Sequence, residues 1–191
     1  MWTIEQREKG ININMKKIVI NISFILIFIL IYILTVNFFS WFKIAGVMPN
    51  IFVIFVLFIG LYCSRGVGIA YGVILGILLD FFIGKRVGVT AIMLGIVGFI
   101  GETFDKNFSK ESRITIMIMV VLATILYEIG LYVANCFIYN MEPQIAEFIQ
   151  ILAIESVYNL LIVTILYPLI QNLGYKIEDE YKGNKILTRY F

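Results

Sequence analysis

The sequence predicts an all-α, polytopic integral membrane protein with about six transmembrane helices in one compact bundle. The chain has 191 residues, of which 61% are hydrophobic and only 15% are charged, and its mean hydropathy is +0.95. Soluble domains are closer to half apolar and a quarter charged. The apolar residues also cluster into six long runs, and no polar segment between them is long enough to build its own core.

The first predicted span covers residues 18–39 and follows a polar N-terminal stretch. Residues 1–14, MWTIEQREKGININ, show no periodicity, so we expect a disordered extension upstream of the protein proper. Met15 and two lysines then lead directly into the apolar run. The run is too long for a signal-peptide core and no small-residue cleavage site follows it, so we expect an uncleaved helix.

Five further spans complete a predicted membrane domain over residues 15–170. They are residues 47–63, 66–83, 87–101, 114–139 and 145–170. Because the fourth is short and almost nothing separates the second from the third, a partly re-entrant element is an alternative there. The remaining residues, 171–191, are predicted to form a cytoplasmic tail that is either solvated or in contact with anionic lipid or a partner protein.

The distribution of positive charge predicts that both termini are cytoplasmic. With the N-terminus inside, 12 of the 15 lysines and arginines lie in cytoplasmic segments and 3 in outer loops. The outer three are Lys43, Lys85 and Arg86. An even number of spans is consistent with this division, because it places both termini on the same side of the membrane.

Composition also excludes several classes of function. The chain has no histidine, which removes the usual general base and the commonest metal ligand. Cys63 and Cys136 are predicted on opposite faces of the membrane, so they should remain separate thiols. A net charge of +2 is too small to suggest nucleic acid as a partner. We therefore expect no catalytic residue, no metal site and no cofactor.

A stripe of small residues runs along the third span. Gly68, Gly72, Gly76, Asp80 and Gly84 follow one another at a spacing of four, which places them on one helical face. Small residues at this spacing allow a second helix to approach closely. A second run follows at Gly84, Gly88, Ala91, Gly95, Gly98 and Gly101. Two neighbouring glycine-lined helices predict a compact centre for the bundle.

Asp80 is an acid on that stripe, near the outer end of its span. One interpretation is structural: the carboxylate accepts hydrogen bonds from nearby backbone in the turn of residues 84–88, or pairs with Lys85 or Arg86. The other is functional, as a binding carboxylate or a proton relay.

The last two spans each carry an acid, a phenol and an amide at helical spacing. The two sets are Glu128, Tyr132 and Asn135, and Glu155, Tyr158 and Asn159. The two helices can hydrogen-bond to each other through these groups, or the groups can line a polar cavity for a small ligand or a proton. No nucleophile or metal-ligand set accompanies the acids, which argues against catalysis.

Residues 49–102 resemble the core of the MreD family of rod shape-determining proteins. The similarity rests on Pro49-Asn50 at the start of the second span, a short basic turn before the glycine-rich third span, the Leu-Leu-Asp ending at Asp80, and a glycine restart that includes Gly88. In the last span, Asn159 and Pro168 occur in the order typical of the family.

The resemblance implies a non-enzymatic scaffold subunit of the bacterial elongation machinery in the cytoplasmic membrane. Family members act beside MreC and help to link MreB filaments to the glycosyltransferase RodA and its class B penicillin-binding transpeptidase. The resemblance also implies a relation in fold to the substrate-binding S-components of energy-coupling transporters. It therefore suggests an alternative function, as a small-solute-binding transporter subunit.

Overall fold

The computed structural model describes residues 4–63, 66–83, 88–107, 112–140 and 142–182. These residues form six α-helices and no β-strand, which confirms the predicted helical bundle. The helices are α1 (Ile4–Asn37), α2 (Ile51–Tyr62), α3 (Val67–Ile83), α4 (Val89–Asn107), α5 (Arg113–Tyr139) and α6 (Ile145–Lys182).

Helix α2 lies at the centre of the bundle. Ten of its twelve residues are buried, and it packs against each of the other five helices. The most extensive interface is between α3 and α4, and α5 packs mainly on α6. A helix that is apolar on every side must be enclosed by protein or lipid, and here protein encloses it.

Successive helices run antiparallel, so the chain termini lie at the same end of the bundle. At this terminus end, Lys16 of α1 forms a 2.6 Å ion pair with Glu180 of α6. The Asn21 side chain accepts a hydrogen bond from the Tyr181 hydroxyl one turn further along α1. The opposite end, which we call the cavity end, contains the α1–α2 and α5–α6 connections.

Only three of the helices meet the length and apolarity of a membrane span among the described residues. These spans are Met15–Asn37 in α1, Arg113–Tyr139 and Ile145–Lys182. Helices α2 and α3 are apolar but have only 12 and 17 residues, or about 18 and 26 Å, against a hydrocarbon thickness of about 30 Å. The described bundle thus contains three long apolar helices, and the number of six spans stays a prediction.

The second span begins later than predicted because residues 47–50 are not helical. Ile44 and Val47 exchange two backbone hydrogen bonds of 3.0 and 2.9 Å around Ala45 and Gly46, which both have positive φ. Asn50 then caps α2, since its side chain accepts from the Val53 amide at 3.4 Å. The turn and the cap together shorten the helix to Ile51–Tyr62.

Three other helix ends also differ from the predicted bounds. Helix α4 continues to Asn107 instead of ending at residue 101, and α6 continues through Pro168 to Lys182, so residues 171–182 of the predicted tail are helical. Helix α1 begins at Ile4, so residues 4–14 are helical where we expected disorder. Extending an existing helix costs much less than nucleating one, because each added residue brings one further hydrogen bond.

The outer surface of the bundle is apolar. Large aliphatic and aromatic side chains are exposed on α1, α3, α4, α5 and α6, among them Val19, Ile74, Phe99 and Phe137. Exposed apolar surface of this extent would be unfavourable in water and is expected in contact with lipid. At the cavity end, Trp41 and Phe42 follow α1, where aromatic side chains suit a membrane interface.

Candidate functional site

The glycine stripe of α3 is the face that contacts α4. A Cβ atom on Gly72 would lie 2.3 Å from the carbonyl oxygen of Leu94, and one on Gly76 would lie 2.4 Å from the Cα of Ala91. Both clashes are with backbone, so the two helices touch main chain to main chain. Of the stripe predicted from sequence, Gly68, Gly72, Gly76 and Asp80 are buried, and Gly84 lies outside the described residues.

The same stripe meets α2 at its other end. Gly68 of α3, Gly60 of α2 and Gly98 of α4 come together, because a Cβ on Gly68 would lie 2.4 Å from the Cα of Gly60 and 3.0 Å from the Gly98 carbonyl oxygen. Gly60 was not predicted, since one glycine in an apolar run carries no periodic signal. The backbones of three helices therefore meet at a point where none has a side chain.

Two buried carboxylates cap the ends of the α3–α4 pair reciprocally. Asp80, in the last turn of α3, accepts a 2.7 Å hydrogen bond from the Gly88 amide just before α4. Glu102, towards the end of α4, accepts a 3.1 Å hydrogen bond from the Gly68 amide in the first turn of α3. Negative groups are favoured at helix N-termini because amides there lack helical partners. Sequence analysis overlooked Glu102.

The backbone contact of Asp80 is the one that the structural interpretation expected. The carboxylate is almost fully buried, and Gly88 has a φ of +115°, a conformation that favours glycine. The possible ion-pair partners Lys85 and Arg86 lie outside the described residues.

Asn159 joins three helices at the start of α2. Its Oδ1 accepts from the backbone amide of Asn50 at 2.8 Å, and its Nδ2 donates to the hydroxyl of Thr124 on α5 at 3.0 Å. Asn159 is fully buried, so both hydrogen bonds are shielded from solvent. The Asn159 side chain therefore attaches the Pro49–Asn50 segment to α6, although Asn159 lies 109 positions after Asn50 in the sequence.

The two phenols form contacts other than the predicted hydrogen bonds between the polar groups of α5 and α6. The Tyr158 hydroxyl donates to the carbonyl of Phe42 at 2.7 Å, and the Tyr132 ring stacks on Phe148 with ring centres 4.2 Å apart. The Asn159 side-chain amide donates its hydrogen bond to Thr124 and not to Asn135. Helical spacing predicted which of these residues share a face of their helix. It could not predict which groups on other segments they contact.

A cavity of about 330 Å³ opens at the cavity end. It brings together residues from the α1–α2 connection and from all six helices. Its polar lining includes Thr35, Asn50, Asp80, Thr90, Tyr127, Asn135, Tyr139 and Glu155. Among the described lining residues two are acidic and none is basic. The same cavity is therefore lined by Asn50, Asp80 and Glu155, which belong to separate motifs in the sequence.

Glu155 is the lining residue whose hydrogen bonding is incomplete. Its side chain is buried, with 6% of its surface exposed, and Oε1 has no hydrogen-bond partner. The carboxyl group also interacts with Glu128 of α5 and with Asn50. Burying an unpaired carboxyl oxygen is unfavourable, which makes Glu155 a candidate functional residue.

A second polar cluster lies at the terminus end and was not predicted. Lys182 donates to Asp105 at 2.7 Å and to the backbone carbonyl of Leu61 at 3.0 Å, and Glu178 lies 3.7 Å away. The cluster explains why the charged end of α6 remains helical. Lys182 and Asp105 had been assigned to a tail and a loop, so their sequence context gave no sign of a contact.

The described residues contain no group of three potential metal ligands from histidine, cysteine, aspartate and glutamate. Cys63 is buried near α3 and Cys136 is half-buried on α5, and neither forms a disulfide within the part of the chain that is described.

Comparison with known proteins identifies the family. The family model described as rod shape-determining protein MreD matches residues 14–177, which covers most of the chain and all six helices in whole or in part. Neither the comparison with individual curated proteins nor the comparison with solved structures gives a match. The matched region includes the Asn50 cap, the glycine-lined α3–α4 pair and the acids of the cavity. The chain therefore belongs to the MreD family of rod shape-determining membrane proteins.

Proposed function

We propose that this protein is a non-enzymatic membrane scaffold of the bacterial cell-elongation machinery. In this role it binds MreC and helps to couple MreB filaments to peptidoglycan synthesis by RodA and a class B penicillin-binding transpeptidase. The observation that carries the proposal is the family match over residues 14–177.

The architecture is compatible with a scaffold. Backbone contacts through glycine hold α2, α3 and α4 together, which restricts their relative movement. Helix α1 packs on α2 and α6 through smaller interfaces and leaves much of its apolar surface exposed. A rigid centre with broad apolar outer faces offers surfaces on which helices of partner proteins can pack within the membrane.

The test is complementation in the rod-shaped bacterium that encodes the chain. We expect deletion to widen or round the cells, the wild-type gene to restore cell width, and the protein to co-purify with MreC in mild detergent. Normal width after deletion, with no recovery of MreC, would contradict the proposal. Recovery of an ATPase–transmembrane transport module instead of MreC would favour the solute-transporter alternative.

We further propose that both termini face the cytoplasm of an inner membrane. The 12-to-3 division of positive residues supports this orientation, and the Lys16–Glu180 ion pair supports placing both termini on the same side. A reporter fused after Lys185 should behave as cytoplasmic, and one inserted in residues 140–147 as external. The reverse pattern would invert the bundle and move the cavity to the cytoplasmic side.

A further inference from the structure

We propose that Glu128 of α5 and Glu155 of α6 share one proton, and that loss of this proton loosens the cavity end of the bundle. The two residues, which we call the acid pair, make the junction of α2, α5 and α6 sensitive to pH. This property goes beyond the scaffold role, because partners can pack on the outer faces of the bundle in either protonation state.

The contact between the two carboxyl groups requires a proton. Glu155 is hydrogen-bonded to Glu128 across the α5–α6 interface. Ionised carboxylates only accept hydrogen bonds, so two of them cannot be joined in this way, whereas a protonated carboxyl group supplies an O–H donor. One proton between the two groups completes the contact and leaves the acid pair with one negative charge instead of two.

The surroundings of Glu155 favour the same state. Its side chain is buried, Oε1 has no hydrogen-bond partner, and the Asn50 side chain contacts the same carboxyl group. A buried carboxylate needs several donors to offset the loss of water, and a neutral carboxyl group costs much less to bury. The incomplete hydrogen bonding of Glu155 therefore suits a protonated pair.

The part of the cavity wall that the structure describes offers no positive charge to the acid pair. Its titratable side chains besides Glu155 are Asp80 of α3 and Tyr127 and Tyr139 of α5, and its polar residues from α1, α4 and the α1–α2 connection are uncharged. Lys85 and Arg86, in the α3–α4 connection, lie outside the described residues. Since like charges repel strongly away from water, Asp80 adds to the cost of a second negative charge on the pair.

Asn50 connects the acid pair to the rest of the bundle. Its side chain contacts Glu155 and also caps α2 by accepting from the Val53 amide at 3.4 Å, while its backbone amide donates to Asn159 at 2.8 Å. When the proton leaves to water at the cavity end, two carboxylates face each other and their repulsion separates α5 from α6. The start of α2 then loses part of its attachment to α6.

The experiment measures the infrared carbonyl stretch of protonated carboxyl groups in the full chain. The protein is kept in an ester-free detergent, because lipid esters absorb in the same region. We expect wild type to show the band at neutral pH and to lose it as the pH is raised. Absence of the band at neutral pH would overturn the proposal.

Three variants test whether the proton is shared. Glu155→Gln and Glu128→Gln each keep the size of the side chain and supply an amide N–H donor, so the remaining acid no longer needs the proton. The same band should therefore be absent from both variants at neutral pH. Glu147→Gln, which changes an exposed acid on α6, is the matched control and should keep the band. A band lost from only one of the two pair variants, or from neither, would overturn the shared proton.

Thermal unfolding at a series of pH values tests the effect on the bundle. The folded acid pair holds a proton that the unfolded chain releases at neutral pH, so the stabilisation is present in acid and is lost as the pH rises. The folded-to-unfolded ratio of wild type should fall by up to about tenfold per pH unit relative to the double variant Glu128→Gln/Glu155→Gln. Equal pH dependence of the two proteins would overturn the proposal.

The proposal remains testable if a variant does not fold. When Glu155→Gln fails to fold, the loss of the band in Glu128→Gln and its pH titration in wild type still decide. Failure of these experiments would leave cell width and MreC recovery unaffected, so it is distinguishable from failure of the scaffold function.

Discussion

The α3–α4 interface is made of backbone and glycine, whereas the α5–α6 interface is made of polar and aromatic side chains beside a cavity. In the first, a single Cβ at Gly72 would contact Leu94 main chain at 2.3 Å. In the second, Asn159 reaches Thr124 through its side chain, and Glu155 retains an oxygen without a partner. The first interface tolerates almost no change in volume, while the second has free space and unused hydrogen-bonding capacity.

The difference matters because both interfaces lie in one membrane domain. Close backbone packing provides dispersion contacts where lipid supplies no hydrophobic drive between helices. Side-chain packing around a cavity gives up part of that stabilisation. We infer that α2, α3 and α4 form the structural centre and that the cavity end of α5 and α6 is the adaptable part.

The largest effect is expected from bulk in the glycine interface. Gly72→Leu should destabilise the protein by about 3 kcal/mol or more, because the new side chain has only backbone to displace. The measurement is the amount of monodisperse protein extracted in mild detergent, together with its thermal unfolding. Gly95→Ala is the milder control, since its Cβ would meet only the Val73 side chain. Normal accumulation of Gly72→Leu would show that the stripe faces lipid.

The next largest effect should come from the polar interface. Asn159→Leu removes the acceptor of the Asn50 amide and the donor to Thr124, so we expect a cost of about 2 kcal/mol in thermal unfolding. Asn37→Leu is the control, because the Asn37 side chain bonds only within its own helix at an exposed position. It should change stability by less than about 0.5 kcal/mol. Equal effects of the two variants would contradict the structural role of Asn159.

The two cavity acids should respond differently to an apolar substitution. Asp80→Leu leaves the Gly88 amide unpaired and should cost about 1–3 kcal/mol, whereas Asp80→Asn keeps an acceptor and should be tolerated. Glu155→Leu removes the contacts of the carboxyl group with Glu128 and Asn50 but also the cost of burying an oxygen without a partner, so it should cost less than Asp80→Leu. Thermal unfolding of the three variants decides the order. A larger loss for Glu155→Leu would mean that Glu155 is the more important structural acid.

The smallest effect is expected from the N-terminus, which belongs to neither interface. A protein that starts at Met15 keeps Lys16 and its ion pair with Glu180, so it should insert and support normal cell width. Membrane abundance and cell width are the measurements. Loss of insertion would show that the first turns of α1 are required, although nearly all of their residues lie before the family match at residues 14–177.

Sequence periodicity predicted the elements that depend on local spacing. The four-residue interval of Gly68, Gly72 and Gly76 placed one face against protein, whereas Asn50, the cap of α2, was predicted inside the span of residues 47–63. Both features are set by residues within a few turns of one another. The cavity was foreseen only as one of two alternatives for the acids of the last spans.

Features that depend on distant residues could not be read in the same way. Glu102 lies in GETFDK, which resembles the end of a span, yet its partner is an amide 34 positions earlier. Lys182 lies in a stretch with the composition of a polar tail, yet it contacts Asp105 and the Leu61 carbonyl. Such contacts require knowledge of which helix ends meet, and the charge pattern of a single segment does not contain it.

The reciprocal carboxylate caps have a consequence for biosynthesis. When α3 leaves the ribosome, its Gly68 amide has no acceptor until residue 102 has been synthesised, and the Gly88 amide is satisfied only once α3 has turned back. Each helix completes the other, and α3 alone, with 17 residues, is at the lower limit of length for crossing the hydrocarbon core. The pair is therefore expected to enter the membrane together as a closed hairpin, with the insertion machinery holding α3 until α4 has emerged.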